Sequence, residues 1–172
     1  MEVVAAWVLG LVALFVQAGT APALEVERLA VNLPVVWVVW VGLRRDADWT
    51  FATVLVLGGA AGLLGGAARG PYLLALFGVG LATVWIRPKL QHDGFAMSVG
   101  WTAMMAYLFD LLFLTGVVAW SALPFAGYYL VRTSPLTSLL TAGASVLAAP
   151  FLGLIGRLSS ARNRGLQPLR PR

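Results

Sequence analysis

The sequence predicts an all-α integral membrane protein built as a bundle of six transmembrane helices. Three observations lead there: the composition, the grouping of apolar residues into six segments, and the placement of the arginines. Apolar residues make up 60% of the 172 positions and charged residues only 11%, with a mean hydropathy of +0.86. A soluble domain carries about 25% charge. A globule this small leaves much of its chain facing solvent, so the solvent that suits this composition is a bilayer.

The segments follow in order. A membrane helix needs about 20 apolar residues at about 1.5 Å rise each. The first span is expected from about Val3 to Leu24. Ala21-Pro22-Ala23 imitates a signal-peptide cleavage site, but no cationic leader precedes it, so a retained helix is expected. The second runs from about Leu29 to Leu43, with Asn32 and Pro34 near its start, and the third from about Thr50 to Ala68. The fourth covers about Pro71 to Ile86, the fifth about Phe95 to Trp120 and the sixth about Leu136 to Gly156. The second and fourth are short for a bilayer and need local thinning or shelter by neighbours. Between the last two spans, Ser121–Pro135 is apolar but broken, which suits an interfacial or re-entrant piece. Residues 1–157 thus form the transmembrane domain and 158–172 a loose, basic cytoplasmic tail.

Arginine and lysine set the orientation. With six crossings and a cytoplasmic N-terminus, the inside holds Arg44, Arg45, Arg87, Lys89, Arg157, Arg162, Arg164, Arg170 and Arg172, nine in all. Three, Arg28, Arg69 and Arg132, fall outside. Both termini are therefore expected in the cytoplasm. Arg157, Arg162 and Arg164 are candidate contacts for anionic lipid, at about 1 kcal/mol per basic residue near the surface. The formal charge of +5 is explained by this lipid-facing pattern, and no nucleic-acid partner is expected. Trp7, Trp49, Trp85 and Trp120 sit near span ends, as an interfacial belt requires, whereas Trp37, Trp40 and Trp101 lie deeper and suit helix packing.

Two features inside the spans invite a functional reading. Gly58, Gly62 and Gly66 recur at four-residue spacing, which stacks them on one helix face and permits close approach of another backbone. The guest is either a partner's helix or a neighbour within the bundle. Asp110 is the one acid well inside a span. A charge there costs at least about 2.5 kcal/mol, so it must be paired, protonated or near water. It suits a partner contact, a proton-coupled site, or a structural hydrogen bond to Thr102, Tyr107, Thr115 or the backbone.

Groups for catalysis are scarce. There is no cysteine and one histidine, His92, in a loop, so thiolate and multi-histidine metal sites are excluded and no cofactor is expected. Neither GxSxG nor HExxH occurs. Asp46 and Asp48 form a single close pair beside Arg44 and Arg45, which suits a salt-bridged loop and not a Mg²⁺ pyrophosphate site. Gly78 and Gly80 have no accompanying lysine and read as packing positions, not a phosphate loop.

The order of features over about residues 8–90 carries a resemblance. Gln17-Ala18-Gly19 closes the first span, and Asn32-Leu33-Pro34 enters the second. Arg44-Arg45, the glycine-rich third span and Gly70-Pro71-Tyr72-Leu73 follow. This resembles the rod shape-determining MreD family of small membrane proteins. Pro34 and Gly62 match its motif positions; the acids that often accompany them are replaced by Val35 and Gly66, so no acidic site carries over. The resemblance implies a non-enzymatic protein with six helices and a fold similar to the substrate-binding subunits of energy-coupling-factor transporters. It also implies MreC as partner and, through it, MreB, RodA and a penicillin-binding transpeptidase in lateral wall synthesis. The rival expectation is the substrate-binding membrane subunit of a vitamin-type transporter, for which polar groups such as Asn32, Thr102, Tyr107 and Asp110 would have to converge on a cavity.

Overall fold

A computed structural model describes residues 2–20, 31–64, 69–90, 95–121 and 127–165. Among these residues the chain is all-helical, with seven helices and no strand. They are α1 (Glu2–Thr20), α2 (Leu33–Arg44), α3 (Ala47–Leu64), α4 (Arg69–Leu90), α5 (Phe95–Ser121), α6 (Gly127–Arg132) and α7 (Ser134–Gly165).

The centre is α2. Its sequence, LPVVWVVWVGLR, is apolar on every side, and a helix with no polar face must be surrounded. It packs against α1, α3, α4, α5 and α7. Pro34 through Val39, Val41 and Gly42 are all buried. Valine is a modest helix former, but burial of a valine side chain is worth about 1.5–3 kcal/mol, which outweighs a propensity loss of about 0.5 kcal/mol. Asn32 stands at the N-cap, Pro34 lies in the first turn where its missing N–H costs nothing, and the Arg45 N–H closes the other end on the Val41 carbonyl at 2.7 Å. The core continues through Val54 and Leu57 of α3, Leu76 and Val79 of α4, and Met105 and Phe109 of α5.

Small residues let these helices close on one another. A Cβ on Gly58 of α3 would lie 2.6 Å from Leu73 Cδ1 of α4, and one on Gly42 of α2 would lie 2.8 Å from Thr83 Cγ2 of α4. Buried threonines present little polarity to these contacts, because their hydroxyls turn back on their own helix. Thr53 donates to the Trp49 carbonyl at 2.7 Å, Thr83 to Val79 at 2.8 Å and Thr102 to Ser98 at 2.8 Å.

Two described stretches, Gly70–Lys89 and Met97–Trp120, are long and apolar enough to cross a membrane; α2 and α3 are apolar but shorter. The helix limits refine the expectations. The fifth span matches α5 to within one residue. The second is 12 residues, about 18 Å long, and the shelter it needs is supplied by five neighbours. The fourth is not short: α4 has 22 residues and carries Pro88 within its last turn. The sixth starts at Ser134 and continues to Gly165, so Leu158–Gly165 is helical where a loose tail was expected. Alanine and arginine sustain a helix there. Ser121–Pro135 contains α6, one and a half turns long. Residues 21–24, 29–30 and 65–68 of the expected spans, with Gly66, lie outside the described residues.

Gly42→Val should be destabilising by about 1–3 kcal/mol through overpacking against Thr83. Thermal unfolding in detergent would register this as a lowered midpoint, while Gly59→Val on the open side of α3, where nothing lies within 4 Å, should leave it unchanged.

Candidate functional site

Within the described helical interior, the Asp110 carboxylate draws a polar cluster around itself. Asp110 sits on α5 and faces the start of α7, where Ser134, Thr137, Ser138 and Thr141 recur at helical spacing and are all buried. Ser134 Oγ donates to Asp110 Oδ2 at 2.5 Å and Thr137 Oγ1 reaches the same oxygen at 3.0 Å. Thr137 Oγ1 also lies 2.9 Å from the Ser134 carbonyl, and Thr141 Oγ1 donates to the Thr137 carbonyl at 2.8 Å. One turn deeper, the Asn32 backbone N–H ahead of α2 donates to Thr141 Oγ1 at 3.0 Å. The cluster therefore joins three elements that are distant in sequence. The expected partners on the aspartate's own helix are not used: Thr102 and Thr115 bond to carbonyls of α5 instead, at Ser98 and Leu111.

Buried polar atoms with no partner among the described residues include Asn32 Oδ1 and Ser138 Oγ beside this cluster, and Trp40 Nε1 and Trp101 Nε1 elsewhere in the bundle. Trp40 and Trp101 pack on the central core, as their depth in the sequence implied. A buried polar group left unpaired costs about 1–3 kcal/mol.

A second concentration of charge lies where α2 and α4 end together. Arg87 Nη1 donates to the Arg45 carbonyl at 2.5 Å and stands 3.6 Å from Asp46 Oδ1. A guanidinium at the carboxyl end of α2 meets the negative end of that helix dipole. Arg44 lies over the Trp40 ring at 5.0 Å and Lys89 over Trp85 at 4.7 Å. The pair Asp46 and Asp48 does not form a metal centre: Asp46 faces Arg87, and Asp48 occupies the first turn of α3. Among the described residues no group of three or more His, Cys, Asp or Glu side chains is placed to hold a metal.

The remaining candidates divide. Pro34 is buried at the head of α2. Gly58 and Gly62 are buried on α3, and the Gly58 position is filled by Leu73 of α4, so that part of the glycine face serves the bundle itself. Gly78 likewise meets Leu112 of α5. Arg157, Arg162 and Arg164 lie on the last turns of α7. Gly66, His92 and Arg170 fall outside the described residues.

Among the described residues the site thus belongs to an all-helical architecture in which two helices are long and apolar enough to cross a membrane. Comparison with family models, curated proteins and solved structures gives no match.

The Asp110 cluster should behave as a coupled unit. Asp110→Asn and Ser134→Ala, made singly and together, should give an interaction energy of about 0.5–3 kcal/mol in a double-mutant cycle of thermal or denaturant unfolding. Strict additivity would mean that the 2.5 Å contact contributes nothing to stability.

Proposed function

We propose that this chain is a multi-pass scaffold of a bacterial inner membrane, with six crossings and both termini in the cytoplasm. The observation that carries the membrane reading is the outer surface of the helices. Val8, Val12 and Phe15 of α1, Leu74, Phe77, Leu81 and Trp85 of α4, Met97, Met104 and Leu111 of α5, and Leu136, Leu139, Val146 and Leu147 of α7 are all exposed. Soluble monomers rarely expose contiguous apolar patches beyond a few hundred Å². Here each long helix turns an apolar stripe outward, while Thr50, Thr53, Thr83, Thr102, Thr137 and Thr141 are buried and Asp110 is half-buried. Lipid is the solvent in which that arrangement is stable. Trp85 and Trp120, 71% and 72% exposed near opposite ends of α4 and α5, fit an interfacial belt.

Orientation rests on the basic end. Arg44, Arg45, Arg87 and Lys89 gather where α2 and α4 finish, and the arginines of α7 follow in the same sense along the chain. The positive-inside rule then sets this end in the cytoplasm. The short α2 is a crossing that lipid never touches, so its length imposes no mismatch on the bilayer.

The role follows from the resemblance to the MreD family and is non-enzymatic. The protein holds MreC and, through it, MreB, RodA and a penicillin-binding transpeptidase in the cell-elongation complex. Since Gly58 is occupied from within, the docking face shifts to α7. Gly143 is exposed, has open space around it, and is flanked by Leu139, Leu140, Val146 and Leu147. A transmembrane helix can approach that backbone closely.

Co-purification from detergent-solubilised membranes tests the role: MreC should be retained, and Gly143→Leu should reduce it at least tenfold with the thermal midpoint of the chain itself unchanged. Absence of MreC in the wild-type eluate would overturn the reading. The layout has its own test, because the chain has no cysteine to interfere. Single-cysteine variants at Ser159 and Asn163 should react with a membrane-impermeant maleimide only after the membrane is opened.

A further inference from the structure

The Asp110 cluster contains more oxygen than its hydrogen bonds employ. Ser138 follows Ser134 by one helical turn, is only 4% exposed, and its Oγ has no partner among the described residues. That is unusual within this chain, where Thr50, Thr53, Thr83, Thr102 and Thr141 all settle their hydroxyls on the carbonyl four residues back. Asn32 Oδ1 is also buried and unpartnered, and its own backbone N–H is fixed to Thr141, three residues beyond Ser138. Residues three and four apart on a helix are neighbours. Ser134, Thr137, Ser138 and Thr141 therefore share one face of α7, with Asp110 held at its start and the Asn32 backbone held at Thr141.

We propose that this seam between α5 and α7 binds a sodium-sized monovalent cation. Asp110 supplies the charged ligand and the hydroxyls of Ser134, Thr137 and Ser138 the neutral ones, all within about one helical turn of α7. The donor set is all oxygen, which suits a hard cation and not a transition metal. The single carboxylate fixes the charge. One positive charge neutralises it, whereas a divalent ion would leave an uncompensated charge inside an apolar bundle. A proton would also neutralise it, but it occupies one carboxylate oxygen and leaves Ser138 Oγ as it is. A metal cation draws on several oxygens at once and accounts for Ser138 Oγ. The cation would tie α5 to α7, and folding stability would become linked to its concentration.

The test uses the purified full chain in detergent, with thermal unfolding followed as NaCl replaces choline chloride at constant ionic strength and pH. Sodium should raise the midpoint by several degrees in a saturable manner. Asp110→Asn should abolish the response. Ser138→Ala should weaken the apparent sodium affinity at least tenfold yet leave the midpoint in choline equal or higher, because it removes a buried unpaired hydroxyl. If Asp110→Asn does not fold, direct ²²Na⁺ binding to the wild-type chain and to Ser138→Ala decides. Equal midpoints in sodium and choline, a rise on acidification with no sodium response, or a sodium midpoint unmoved by Ser138→Ala would each overturn the site. The measurement needs no partner protein, so its failure and a failure to retain MreC are separate results.

Discussion

Everything in this bundle depends on enclosing α2. A 12-residue helix with no polar side cannot face water, and at about 18 Å it cannot match about 30 Å of hydrocarbon alone. Its stable position is therefore the middle of the molecule, with α1, α3, α4, α5 and α7 around it. That one requirement explains why the surrounding helices carry small or β-branched residues on their inner sides. Close approach to α2 and to one another maximises dispersion contacts, which must replace the hydrophobic effect as the cohesive force wherever the outside is lipid. It also explains the threonines: Thr50, Thr53 and Thr83 have no measurable exposure, and self-bonding to the backbone lets them pack as if they were valines.

Polar interactions between helices are correspondingly few, and each is at a junction. Trp7 Nε1 donates to Thr53 Oγ1 at 2.8 Å and joins α1 to α3, with Trp7 and Trp49 rings 6.0 Å apart beside it. Arg87 ties the end of α4 to the end of α2. Asp110 ties α5 to α7. Between them, Tyr72 of α4 meets Phe109 and Phe113 of α5 edge-on at 5.1 and 6.1 Å, an apolar contact that adds about 0.5–1.5 kcal/mol per pair beyond area burial. Directional bonds select the register of the helices, while packing provides most of the cohesion.

How much of this was legible in the sequence differs by element for physical reasons. The limits of α5 could be read because a long apolar run carries no basic residue and has polar positions just before it. The extension of α7 past Leu158 was not read, since hydropathy falls there while helix propensity does not, and span-finding follows the former. Asp110 was recognisable as an anomaly from its position alone, but its partners lie 24 and 27 residues away on another helix. The signal that could have found them is the recurrence of Ser134, Thr137, Ser138 and Thr141 at helical spacing opening the last span. The glycine face of α3 was legible as a place of close approach; whether the guest is internal cannot be decided from spacing, and Leu73 answers it at Gly58.

The charge distribution and the packing constrain each other. The described interior of the bundle accepts one carboxylate because two hydroxyls of α7 converge on one of its oxygens, and each charge-assisted hydrogen bond is roughly twice as strong as a neutral one. The basic residues cannot be accommodated in the same way, since each carries several donors and the helix backbones offer free carbonyls only at their carboxyl ends. Arg87 takes such a carbonyl at Arg45, and Arg44 and Lys89 spread over indole faces at the same end. Arg44, Arg45, Arg87 and Lys89 thus gather at the end of the bundle where α2 and α4 finish, because acceptors are free there, while Arg69 opens α4 and Arg132 ends α6. The same basic cluster, through Arg87 on the Arg45 carbonyl, caps the central helix on which the packing depends.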